Sequence, residues 1–218
     1  GKAEVKYISS DETKVMSDDA FSDATKLGAE CLKSNIERKK NMSATVQIDF
    51  SELDRAYELS FDYILSAEGS SYDYIKINNE QIATTNHTEW KTYVLQVKKG
   101  DKVEITYRKD SSGDKLDDCI YLKDFRLKNI PQVTFNTVPA YALVSMKAAD
   151  GTEAAVSESA DGKTIFAVQN GTYHYTVSAF GYESQTDTIT VGSEDVTKDI
   201  TLTKLASHKG LMLNFRTT

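Results

Sequence analysis

The chain has 218 residues, enough for one large or two small domains, and a formal net charge of -7 with a pI near 5.1. That balance excludes nucleic acid and anionic membrane as natural partners, since phosphate-rich surfaces need clustered Lys and Arg; the one basic run, Arg38-Lys39-Lys40, is too short to reverse it. No apolar run reaches the ~18 residues of a membrane span, so membrane insertion is not expected.

No signal peptide opens the chain, and a start at Gly1 reads as that of a trimmed one, so this says little of a precursor. Val5-Lys6-Tyr7-Ile8 reads as a strand. Between Ala20 and Leu32 two readings stay open: a short helix with Asp18 or Asp19 as N-cap and Phe21, Ala24, Leu27 and Cys31 along one side, or an irregular entry loop.

From Met42 the period becomes two, the signature of strands with one buried face. Ala44, Val46, Ile48 and Phe50 alternate with polar residues. So do Leu59, Phe61, Tyr63 and Leu65, then Tyr93, Leu95 and Val97, then Val103, Ile105 and Tyr107, and a strand from Ile120 to Leu127 closes the set. Turn chemistry at Glu68-Gly69-Ser70-Ser71, Asn78-Asn79, Lys99-Gly100-Asp101 and Asp110 to Gly113 separates them.

Asn129-Ile130-Pro131 marks a boundary, because Pro cannot donate to a ladder. A second set of strands is expected near Val133 to Asn136, Ala142 to Lys147, Thr164 to Ala167, Thr172 to Ala179, Thr186 to Val191 and Val196 to Leu202, with Asp150-Gly151, Asp161-Gly162 and Asn170-Gly171 as hairpin turns. The fold class is all-β: two consecutive β-sandwich domains, 1–130 and 131–204, followed by a tail, 205–218. In that tail Leu211 to Phe215 reads as a strand completing a sheet, the start of a further module, or an appended sequence.

Chemistry is sparse. GxSxG, HExxH, phosphate-loop and dinucleotide patterns are missing, and His87, His174 and His208 are scattered without ligand spacing, so no enzyme is expected. Cys31 and Cys119 are expected as buried free thiols, or as one disulfide if the fold brings them together. The acidic run of Asp110, Asp114, Asp117 and Asp118 admits solvated turn charges or a calcium site built on Asp110, Asp114 and Asp118, since hard cations take several close oxygens. Beyond that possible structural calcium, no cofactor is expected.

Binding is the better prospect. If Ile75 and Ile77 face the core, Asp73 joins them, while Tyr72, Tyr74 and Lys76 point outward. If Tyr93, Leu95 and Val97 face the core, Trp90 and Gln96 point outward too. An aromatic platform of Tyr72, Tyr74 and Trp90, with Lys76 and Gln96 beside it, would suit a sugar; the alternative is that these rings cover a sheet or pack under segment 10 to 30.

Two resemblances accompany this reading. LSFDYILSAEGSSYDYIKI from Leu59 to Ile77, Trp90, and ITYRKDSSGDKLDDCIYLKDFRL from Ile105 to Leu127 resemble the jelly-roll modules of bacterial surface proteins, akin to MAM and carbohydrate-binding-module sandwiches. VTFNTVPAYALVSMKAADG from Val133 and NGTYHYTVSAFGYESQTDTITVGSEDVTKDITL from Asn170 look like the PEGA and carboxypeptidase-regulatory-like sandwiches, departing at Tyr141 and Phe180. The resemblances imply a non-catalytic module that binds polysaccharide or glycan, starch or another α-glucan included, carried beside a spacer among other domains of a secreted or cell-surface bacterial protein. A protein-binding adhesin and a purely structural stalk are the alternatives.

Overall fold

The computed structural model describes residues 3–11, 15–69, 72–83 and 85–206, and among them it is all-β. Leu211 to Phe215 and His208 lie outside the described residues. The chain divides into two compact units, Gly1–Asn129 and Ile130–Thr218.

The first unit is a sandwich of a six-stranded and a five-stranded sheet. Its strands are β1 (Glu4–Asp11), β2 (Val15–Ser17), β3 (Phe21–Lys26), β4 (Ala29–Ser34), β5 (Met42–Asp49), β6 (Tyr57–Ser66), β7 (Tyr74–Ile77), β8 (Glu80–Ala83), β9 (Lys91–Val97), β10 (Lys102–Arg108) and β11 (Cys119–Asn129). The order β2-β1-β5-β10-β7-β8 forms one sheet and β3-β4-β11-β6-β9 the other. The alternating apolar residues expected from the sequence meet between them: Val46, Ile48, Phe61, Leu65, Ile75, Ile105, Tyr107, Ile120 and Leu122 share one core.

Segment 20–32 is neither helix nor loop. It is the hairpin of β3 and β4, in register from Phe21↔Ser34 to Lys26↔Ala29, and its two-residue turn, Leu27-Gly28, has φ of 51° and 74°. Positive φ at both central positions is the geometry that matches strand twist, and the glycine supplies it at one of them without steric cost. Phe21 and Leu32 reach the core while Ala24 and Cys31 lie on the outer face. The spacing that suggested a helical stripe is thus divided between two faces of a sheet.

β11 carries an irregularity. Its pairing with β6 shifts between Lys123 and Arg126, with Asp124 at φ 53°. One extra residue flips the alternation, so Arg126 points outward and Phe125 stacks on Phe61 with ring centroids 5.3 Å apart. On its other side β11 pairs with β4 only at Tyr121 and Leu122. Beyond these the two strands part.

The second unit packs a four-stranded sheet, β14 (Val156–Ala160), β15 (Lys163–Ala167), β12 (Gln132–Val138) and β18 (Val196–Thr201), with a three-stranded one, β13 (Leu143–Ala148), β16 (Gly171–Ser178) and β17 (Gln185–Val191). β12 and β18 run parallel. Phe135, Phe166, Tyr175, Val177 and Met146 fill its interior. Asp161-Gly162 turns the β14–β15 hairpin as expected. Asn170-Gly171 does not make a hairpin: it leads from β15 into β16, which belongs to the other sheet.

Candidate functional site

The outer residues proposed from the sequence do not share a face. Tyr74 and Lys76 lie on β7 in the six-stranded sheet, with the half-exposed Tyr72 in the turn before it, whereas Gln96 belongs to β9 in the five-stranded sheet and Trp90 directly precedes that strand. Period two fixes which side of its own strand a residue takes, but not which sheet that strand joins. The joint platform of Tyr72, Tyr74 and Trp90 is therefore two separate surfaces.

The five-stranded sheet presents the more organised one. Registers Lys33↔Tyr121, Tyr121↔Ile64 and Tyr63↔Lys91 set Lys33, Tyr121 and Ile64 in a transverse row, with Trp90 one residue beyond Lys91 at its end. Tyr121 and Trp90 stand two strand spacings apart, about 9–10 Å at the backbone. Both pack on a small outer cluster with Cys31, Ile64 and Cys119. The neighbouring row is Lys123, Asp62 and Thr92, where Thr92 donates to Asp62 at 2.6 Å. Arg126 follows, with Nη2 3.5 Å from Asp62 Oδ1.

Lys123 is the pivot of this surface. Its Nζ lies 4.7 Å from the centroid of the half-buried Trp90 ring, 2.9 Å from Asp124 Oδ2 and 3.8 Å from Asp62 Oδ2. Tyr121 is the floor: only 6% exposed, it donates its hydroxyl to Asp117 at 3.0 Å and carries Lys26 Nζ 4.9 Å above its ring. Lys26 also bonds Asp117 and, with Tyr121, holds that carboxyl below its ordinary range. Lys33 pairs with Glu37. Every ammonium named on this face has a carboxylate, so the surface offers no surplus positive charge.

Where β4 and β11 part, a groove of about 580 Å³ opens beside Lys123. Asp23, Thr25, Glu30 and Asp124 line it with oxygens, and Cys31 and Phe125 supply apolar wall. Sequence reasoning missed it, because it depends on the shifted pairing of β11; Asp124 in a left-handed conformation is its local cause. Lys123 lowers the Asp124 carboxyl pKa, the reverse of what a general acid requires.

The acidic loop turns inward on a lysine. Asp118 Oδ1 contacts Lys109 Nζ, and Asp114 Oδ1 lies 3.3 Å from the same nitrogen. Asp110 accepts from Ser112 N–H at 2.8 Å, closing its own turn. Among the described residues, no group of three or more His, Cys, Asp or Glu is placed to hold a metal ion, so Asp110, Asp114 and Asp118 are not assembled as a ligand set. The charge that would attract a cation is met by Lys109.

Cys31 and Cys119 are both buried free thiols. The register Tyr121↔Lys33 leaves them four residues out of step on adjacent strands, roughly 13 Å apart at ~3.3 Å per residue, far beyond disulfide reach. Burial pushes the Cys119 thiol up to about 11. His87 is half-buried: its ring meets Tyr63 edge-on at 5.4 Å, its Nε2 accepts from Leu65 N–H, and its Nδ1 faces Glu89 O at 2.8 Å.

No family model and no curated protein matches the chain. Among solved structures, a carbohydrate-binding module with specific mannan recognition is 14% identical at a TM-score of 0.30, over 50% of this chain and 78% of that one. A family 29 carbohydrate-binding module is 19% identical at 0.26, over 57% and 91%. The major pilin subunit of Bacillus cereus is 9% identical at 0.29, over 93% and 95%. Likeness at this level transfers neither family nor ligand. No helix among the described residues is long and apolar enough to cross a membrane.

Proposed function

We propose that the first unit is a non-catalytic carbohydrate-binding module of a secreted or cell-surface protein, with the second unit as a spacer beside it. The observation that carries this reading is the outer face of the five-stranded sheet, where Trp90 stands over a rigid floor of Ile64 and Tyr121 and continues through Lys123 into an oxygen-lined groove. An aromatic ring with hydroxyl-binding partners around it is the make-up of a site that orients a largely apolar ring face by a few polar groups. Lys123 covers Trp90 and also bonds Asp124, so the ammonium can fold onto that carboxylate and free the ring for stacking. With each named cation paired, a neutral glucan such as starch fits better than an acidic glycan. Lowering of the Asp124 carboxyl by Lys123 supports binding without hydrolysis.

The test is affinity electrophoresis of the purified chain through starch, cellulose, xylan and mucin, with calcium present or chelated. Retardation by one neutral polysaccharide, lost in Trp90→Ala, supports the reading; free migration through all of them removes it.

A protein-binding role rests on a different observation. In the second unit Phe180 is 96% exposed and Leu143 75%, and Tyr141 is pinned by its hydroxyl to Phe180 O at 3.2 Å. Exposed apolar side chains grouped and held in place suit a protein contact. Capture of a protein that sugars do not displace, and that Phe180→Ser abolishes, would favour it.

A further inference from the structure

The alternation that fills the core of the first unit also carries three charged side chains into it. Asp73 precedes Ile75 by two residues, Lys109 follows Tyr107 by two, and Asp118 precedes Ile120 by two. Their exposures are 0%, 1% and 4%. Lys109 Nζ contacts Asp118 Oδ1, and Tyr107 donates to the same oxygen at 3.3 Å. Asp118 Oδ2 accepts from Arg38 N–H at 2.5 Å. Asp73 Oδ1 accepts from Asp110 N–H at 3.1 Å, while its buried Oδ2 has no hydrogen-bond partner among the described residues.

We propose that Lys109 and Asp118 condense into an intramolecular isopeptide bond, with Asp73 relaying the protons. A side-chain amine in contact with a carboxyl oxygen has the carboxyl carbon one C–O bond further on, within the ~3–3.5 Å of a near-attack arrangement. The reaction begins as one proton passes from Lys109 to Asp118, which leaves an amine and a carboxylic acid in place of the ion pair, a step that exclusion of water assists. The Nζ lone pair then attacks Asp118 Cγ and the C–N bond forms. Arg38 N–H is already directed at Oδ2 and stabilises the charge that develops there. The Cγ–Oδ1 bond breaks, Oδ1 leaves as water with a proton delivered by Asp73, and Nζ returns one proton to Asp73. The balance is one amine and one carboxylic acid giving one amide and one water, with no oxidant, reductant or cofactor. Burial holds the Asp73 carboxyl above the usual carboxylate range, which keeps a proton available for delivery. The bond closes the acidic loop between β10 and β11 covalently.

The experiment is intact-mass measurement of the denatured full chain, followed by peptide mapping. The expected mass is the sequence mass less one water, with Lys109 and Asp118 joined in one branched peptide. Lys109→Arg and Asp73→Asn are expected at their full sequence masses. A wild-type chain at full sequence mass overturns the proposal, and that reading needs no variant to fold. Water loss that persists in Lys109→Arg would place the dehydration within the Asp118 backbone as an imide and overturn it too. A branched peptide recovered intact from Asp73→Asn would remove the relay role of Asp73.

Discussion

Lys109 and Asp118 meet just after β10 and just before β11 with side-chain exposures of 1% and 5%, so until the bond forms the pair neutralises charge where water cannot. Asp118 also receives Tyr107 O–H and Arg38 N–H, which ties the segment after β4 to the mouth of the acidic loop. Removing one member leaves the other buried and unpaired, which costs more than the pair itself contributes. Asp118→Ala is expected to lower unfolding free energy by about 3–5 kcal/mol. The double change Lys109→Met with Asp118→Leu removes the stranded charge as well as the bond and is expected to be more stable than Asp118→Ala, measured by urea denaturation; a double variant no more stable than the single one would show that buried charge is not the cause.

Metal removal follows from the same pair. Lys109 stands against Asp114 and Asp118, and either as their counter-charge or joined to Asp118 it removes the repulsion that a calcium ion would otherwise be needed to offset. The melting temperature is therefore expected to be the same in excess calcium and in excess chelator. A fall of several degrees on chelation would contradict the assignment of Lys109 as the counter-charge.

Much of the first unit could be read from the sequence, and its charged core nearly so. Alternation located β5, β6, β9 and β10 and predicted that Asp73 faces inward with Ile75 and Ile77. Carried two residues past Tyr107, the same count places Lys109 inside, and carried back from Ile120 it places Asp118 inside. A buried lysine flanked by two buried carboxylates was thus legible, but the acidic run drew attention as turn charge. Sheet membership was not legible. Tyr74 and Trp90 both point outward from their strands, yet pairing of β7 with β10 and of β9 with β6 sends them to different sheets, and such pairings join residues too distant in sequence for local pattern to choose. The β3–β4 hairpin was hidden because Phe21, Ala24, Leu27 and Cys31 fit a helical stripe, while the I′-type turn at Leu27-Gly28 places a leucine at positive φ, where few side chains go.

The division between faces separates the two sets of sequence-proposed ligand residues. Trp90→Ala is expected to remove polysaccharide retention and to leave the overall fold intact, because the residue lies at the end of its row and is only half-buried. Tyr74→Ala, on the opposite sheet, is expected to leave retention unchanged. Affinity electrophoresis of both variants on the retaining polysaccharide decides it; loss with Tyr74→Ala and none with Trp90→Ala would move the site to the six-stranded sheet.

A shallow acid sensitivity should trace to His87. Its Nε2 accepts the Leu65 N–H at 3.2 Å, and His87 N–H donates to Leu65 O at 3.0 Å, so the residue seals the end of β6 with a neutral ring whose Nδ1–H is directed at Glu89 O. Burial depresses its pKa below the ordinary 6.5. The unfolded chain then binds a proton at higher pH than the folded one does. The contribution of the neutral ring is complete above the unfolded pKa and is lost as pH falls through the depressed folded value. Protonation would also aim an N–H at the Leu65 N–H and break that bond. Urea denaturation between pH 8 and pH 5 is expected to show stability falling toward acid, with a smaller fall in His87→Gln, whose amide can accept from Leu65 without titrating. Equal slopes in the two proteins would assign the acid sensitivity to other groups.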